Sequence, residues 1–201
     1  MFQICAENLG KKFHYEWIFR NFSFNFHLGK SYAIVGNNGS GKSTLLQLLS
    51  GIIPVSEGKI FYQKNSKNID SEDFYRYIAW VSPYLELIEE MTLLEIIEFH
   101  QQFKALEQDT QVFIQTLRLE KAINKYIKNF SSGMKQRVKL GLAMYSDTPI
   151  LFLDEPTSNL DEENINWYKQ EIKKQRSKKL IVVASNQIDE YDFCEEIIRL
   201  G

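Results

Sequence analysis

The strongest constraint on this chain is the run Gly36-Asn37-Asn38-Gly39-Ser40-Gly41-Lys42-Ser43-Thr44, which satisfies G-x-x-x-x-G-K-[ST]. Glycines at this spacing let backbone N–H groups converge on phosphate oxygens with no Cβ in the way. A helix beginning behind the loop adds the positive end of its dipole. Both flanks agree: Ser31-Tyr32-Ala33-Ile34-Val35 reads as a buried strand, and Leu45, Leu46, Leu48 and Leu49 follow with helical spacing. Lys42 supplies a point charge to the β- and γ-phosphates of a nucleotide, and the Ser43 hydroxyl can ligate Mg²⁺.

Two further runs, Pro149 to Leu153 and Lys179 to Ala184, are apolar without alternation, as in central strands of a sheet covered on both faces. Each is followed by turn residues and then helical spacing, the rhythm of a parallel sheet. Ile18 to Leu28 differs. Phe22, Phe24 and Phe26 alternate with Ser23, Asn25 and His27, which predicts a strand with one buried face. From about Tyr84 to Met144 the apolar spacing is mostly three and four, which predicts helices. Thr92-Leu93-Leu94-Glu95 is a capping box, and Ser131-Ser132 opens another helix with Gly133 in its first turn.

A second chemical signal is Ile150-Leu151-Phe152-Leu153-Asp154-Glu155, an apolar strand ending in two carboxylates. Asp154 is placed to hold Mg²⁺ through water, and Glu155 to polarise the water that attacks a γ-phosphate. Other function classes recede. With 24 Lys plus Arg against 26 Asp plus Glu there is no strong basic field, and no nucleic-acid partner is expected. Two cysteines, Cys5 and Cys194, cannot build a disulfide framework and suit a reducing compartment. His14, His27 and His100 have no metal-ligand spacing. The basic cluster Lys173, Lys174, Arg176, Lys178 and Lys179 is expected to be a solvated helix end. No leader is visible at the N-terminus, and every apolar run is far shorter than the ~20 residues that a bilayer requires.

With these motifs in this order, the chain resembles the ATP-binding subunit of an ABC transporter over nearly its whole length. Pro156-Thr157-Ser158-Asn159-Leu160-Asp161 is similar to the family's D-loop, with Asp161 as its acid. Ser131-Ser132-Gly133-Met134, followed by Gln136-Arg137, falls where the family has its LSGGQ signature, with Ser for the first Gly and Met for Gln. Phe13 lies where an aromatic side chain stacks on adenine, with Tyr15 and Trp17 as rivals. The switch-histidine position holds Asn186, and the Q-loop glutamine position holds Pro83. Asparagine can donate a hydrogen bond but cannot carry positive charge, and proline offers neither a side-chain carbonyl nor an N–H.

The resemblance implies an α/β fold: a P-loop NTPase core with a mainly parallel sheet, an antiparallel β subdomain near the N-terminus and an inserted helical subdomain. The single domain would span 1–201, with the insert at about 84–145. It implies ATP and Mg²⁺ as ligands, with Ser43 and Asp154 on the metal and Glu155, Lys42 and Asn186 as catalytic residues. It further implies ATP-driven dimerisation, homo- or heterodimeric, and a transmembrane permease subunit received on the helical surface around Tyr84 to Phe103. The chain would then be cytoplasmic, peripheral on the inner face of the cell membrane. Hydrolysis is expected to be slow because of Asn186 and Pro83. The alternative is an ATP-gated clamp or regulatory protein that hydrolyses only to reset.

Overall fold

The computed structural model describes residues 1–158 and 160–201, so Asn159 of the D-loop run lies outside the described residues. Its centre is a five-stranded, all-parallel sheet of order β6-β7-β8-β3-β9. The strands are β3 (Ser31–Val35), β6 (Ile78–Val81), β7 (Ile150–Asp154), β8 (Leu180–Ala184) and β9 (Glu196–Arg199). Every residue of β3, β7 and β8 is buried, as the three unalternating apolar runs predict.

Strand pleating divides the interior in two. Ile150 and Phe152 of β7, with Leu180, Val182 and Ala184 of β8, face one core, built with helix α1 (Lys42–Leu49) and the second sheet. Leu151 and Leu153, with Ile181 and Val183, face the other core. The helices there are α2 (Leu93–Gln101), α3 (Thr110–Thr116), α4 (Ser132–Tyr145) and α5 (Glu162–Gln175). The apolar run of each strand thus feeds both faces because successive Cβ atoms alternate.

The second sheet is antiparallel, of order β2-β1-β4-β5, from β1 (Phe2–Phe13), β2 (Glu16–His27), β4 (Glu57–Lys64) and β5 (Lys67–Ile69). Phe26 is buried with Phe22 and Phe24 packed beside it, while Ser23, Asn25 and His27 are exposed. Strand β2 begins at Glu16, before the predicted Ile18, because Phe13 pairs with Glu16 across the hairpin.

Two expectations are corrected. The segment 84–91 is not helical: Leu85, Leu87 and Ile88 carry helical spacing, but helix starts only at Leu93. The backbone of 84–91 bonds outward instead, Glu89 and Met91 carbonyls accepting from Lys128 and Ile127 at 3.1 and 2.8 Å. The basic cluster is not wholly solvated either. Lys179 is 2% exposed; it donates to the Ser146 and Thr148 carbonyls and pairs with Glu107 at 2.6 Å. Its place immediately before β8 carries it into the interior, where three acceptors replace water.

Candidate functional site

Because β3, β6, β7 and β8 run parallel, their carboxyl ends share one edge, and the segments that follow them meet there. That edge is where open α/β sheets bind ligands. The loop after β3 holds Gly39 and Gly41 at φ 83° and 95°, a left-handed conformation that glycine adopts freely. A Cβ on Gly41 would lie 2.5 Å from Ile18 Cγ2, so the loop is pressed against β2. Leu45 N–H already bonds to the Gly41 carbonyl, which leaves the first N–H groups of α1 facing the loop without helical partners. Lys42 is buried, its Nζ donating to the Gly36 and Asn37 carbonyls at 2.9 and 3.2 Å. The Ser40 hydroxyl is buried with no partner among the described residues. Convergent donors with one orphaned hydroxyl fit an anion at this loop.

Across the edge, Ser43 Oγ donates to Asp154 Oδ1 at 2.9 Å. Burial pushes the Asp154 carboxyl up to about 6, against the Ser43 hydrogen bond, and the neighbouring Glu155 charge raises it further. Hard oxygen donors at a buried, under-compensated carboxylate are the donor set that suits Mg²⁺, so the residues present fit that ion. Glu155 is exposed beside Asp154 and stands at φ 42°. Its N–H donates to the Ala184 carbonyl at 2.9 Å, and its own carbonyl accepts from Ser158 Oγ at 2.7 Å.

Asn186, two residues beyond β8, reaches the same loop. Its Nδ2 donates to Asn38 Oδ1 at 2.9 Å, and its Oδ1 accepts weakly from Gly36 N–H at 3.4 Å. Pro83 is exposed in the loop after β6, at the same edge. The structure therefore brings together the glycine loop, Lys42, Ser43, Asp154, Glu155 and Asn186.

Ser131, Ser132, Gly133 and Met134 lie elsewhere; no hydrogen bond joins them to the glycine loop among the described residues. Ser131 caps α4, its hydroxyl accepting from Met134 N–H at 3.2 Å. A Cβ on Gly133 would lie 2.6 Å from Asn164 Nδ2, so glycine permits the first turns of α4 and α5 to touch. Asp161 caps α5 and takes both the N–H and Nδ2 of that same Asn164, at 2.9 and 2.7 Å. Phe13 and Trp17 are 46% and 38% exposed on the hairpin whose Ile18 touches the loop, and Tyr15 at its tip is 99% exposed. The ring of Phe13 has Lys11 at 5.0 Å, and that of Trp17 has Arg20 at 4.4 Å. Sequence reasoning missed Glu190, which is buried and holds Thr157. No local pattern marks it, since its partner lies on another element.

A groove of about 380 Å³ between the 84–91 segment and helices α2 and α4 is lined by Trp80, Leu85, Ile88, Phe99, Phe103 and Leu142. Phe103 is 73% exposed there. No helix among the described residues is long and apolar enough to cross a membrane.

A family model described as "ABC transporter" matches residues 19–158. An uncharacterized ABC transporter ATP-binding protein of Bacillus subtilis, YybJ, is 28% identical over 96% of this chain and 90% of its own length. ATP-binding cassette sub-family A member 17 of Mus musculus is 26% identical over 90% of this chain, which spans only 11% of that relative. Among solved structures, the dimeric bacterial ABC transporter cassette MJ0796 superposes with a TM-score of 0.81 at 26% identity, covering 98% of this chain and 94% of that one. The same cassette in a dimeric post-hydrolysis state bound to ADP and Pi gives a TM-score of 0.82 at 25% identity, over 98% and 94%.

Proposed function

The chain belongs to the ABC transporter family, and on that premise we propose that it binds and hydrolyses ATP to power a membrane transporter. One observation carries the reading: the glycine loop, the Ser43–Asp154 pair at 2.9 Å and the exposed Glu155 converge on one sheet edge. In this reading N–H groups of residues 36–44 wrap the β- and γ-phosphates, and Lys42 exchanges two carbonyls for phosphate oxygens. Mg²⁺, held by Ser43 and Asp154, supplies charge neutralisation for the transferring phosphoryl group. Glu155 orients the attacking water and accepts its proton. Asn186 gives up Asn38 to donate to a γ-phosphate oxygen. Phe13 stacks on adenine, with Tyr15 and Trp17 as rivals; Arg20 already covers one face of the Trp17 ring.

Residues 1–201 act in this proposal as one ATP-binding domain with a helical insert at about 84–145. Ser131 to Met134 cap the helix end that faces a second copy's ATP, and Asp161 links that end to the Glu155 loop. MJ0796 was solved as a dimer, which supports the sandwich. In this reading the apolar groove at Trp80, Phe99 and Phe103 receives the transmembrane subunit, and the chain works on the cytoplasmic side of the cell membrane.

Hydrolysis is slow in this proposal, because Asn186 stays neutral and Pro83 offers no side-chain ligand. Steady-state ATP turnover tests it. Glu155→Gln is expected to abolish turnover, and Asn186→His to raise it about tenfold. An unchanged rate in Glu155→Gln overturns the ATPase reading; an unchanged rate in Asn186→His overturns the slow-switch part. Asn186 and Pro83 together favour one second reading, a nucleotide-gated clamp. Tight ATP binding with single-turnover hydrolysis that is catalysed but much slower than nucleotide exchange would select the clamp.

A further inference from the structure

Glu155 stands at φ 42°, in the left-handed region. For a residue with a Cβ this costs about 1–2 kcal/mol, so the surroundings must hold it there. Its own backbone is tied by Ala184 and Ser158. The next two residues are held by side chains that come from other elements. The Pro156 carbonyl accepts from Gln136 Nε2 at 2.6 Å, and Gln136 is buried on α4. The Thr157 N–H and hydroxyl both donate to Glu190 Oε1, at 2.7 and 2.7 Å. Glu190 lies on the short helix α6 (Ile188–Tyr191), whose segment leaves β8 through Asn186.

Glu190 is 0% exposed; the Ser185 hydroxyl lies near its carboxylate, but Oε2 makes no hydrogen bond of good geometry among the described residues. A buried carboxylate with one oxygen unpaired is costly, and an apolar side chain would pack there more cheaply. Its surroundings add like charge, since Asp154 and Glu155 both lie within electrostatic reach. What the acid does well is take two donors from adjacent atoms of one residue, which fixes the Thr157 backbone and side chain together.

We infer that Glu190 is a positioning residue for Glu155: with Gln136 it clamps Pro156 and Thr157 so that the Glu155 carboxylate is held at the attacking water. The inference rests on the ATPase reading above. It also makes the base mechanically continuous with the segment carrying Asn186 on one side and with α4 on the other. A misplacement of Glu155 by ~1 Å would leave nucleotide affinity alone and strike the chemical step, at a cost that reaches about a hundredfold.

Steady-state kinetics of the full chain with Mg²⁺-ATP, beside thermal melts, test this. Glu190→Leu keeps the volume and removes the acceptor; it is expected to lower kcat at least ~tenfold with KM for ATP within about threefold. Glu190→Gln keeps Oε1 as an acceptor for Thr157 and is expected to recover most of the lost turnover. Should Glu190→Leu fail to fold, Thr157→Val removes one of the two hydrogen bonds and is expected to lower kcat about threefold at unchanged KM. A wild-type kcat in Glu190→Leu or Thr157→Val, or a rise in KM matching any fall in kcat, overturns the positioning role while the ATPase reading stands. A wild-type chain that turns over no ATP defeats the ATPase reading, and the inference with it.

Discussion

At the residue scale, electrostatics at the sheet edge follow from burial. Asp154 is raised because water is excluded around it, and a bound cation would reverse that shift. His100 shows the opposite sign. Burial lowers it to about 4, with the Lys104 charge adding to the effect, and its Nε2 lies 2.8 Å from Ser146 Oγ. Above pH ~6.5 neither the folded nor the unfolded chain protonates this ring, and its neutral state carries full stability. As pH falls towards 4 the unfolded chain takes up the proton first, so folding loses about 1–2 kcal/mol after allowance for solvent screening. Urea melts at pH 7.0 and 4.5 should therefore show a smaller loss in His100→Gln than in the wild type. Equal losses would place the acid sensitivity elsewhere.

At the element scale, caps and strand ends decide where chemistry is presented. Thr92 and Glu95 form the full capping box, with Thr92 N–H donating to Glu95 Oε2 at 2.7 Å. This anchors α2 immediately after the non-helical 84–91 segment. Thr92→Ala is expected to cost about 1 kcal/mol in denaturant melts. The buried Lys179 ties β8 to Glu107, in the stretch between α2 and α3. Glu107→Gln would leave that cation with neutral acceptors and no counter-charge, and a loss of about 2 kcal/mol is expected by the same measurement. The capping box was legible because its partners are three residues apart in the chain. The Glu107–Lys179 pair was not, because only the packed fold brings its partners together.

At the scale of the whole molecule, the glycine loop and the Ser131 end of α4 belong to separate regions of one chain, and in the sandwich proposed above a second copy completes the site. With Glu155→Gln and Mg²⁺-ATP, light scattering on a sizing column should report a dimer. Adding Ser131→Arg, which crowds the helix end that would meet the partner's phosphate, should return it to monomer. A monomer in both cases would remove the sandwich from the proposal. By itself the sequence determined the glycine loop, the paired acids at the end of β7, the alternating Phe face of β2 and the caps of α2 and α4. Each of these is set by neighbours a few residues away, through backbone geometry and side-chain period. Only the tertiary structure decided that 84–91 is not helical, that Lys179 is buried, and that Asn186 rests on Asn38. It also decided that Glu190 grips Thr157. In each case the partner is remote in the chain, and the hydrogen bond or ion pair outweighs local preference only once water has been excluded around it.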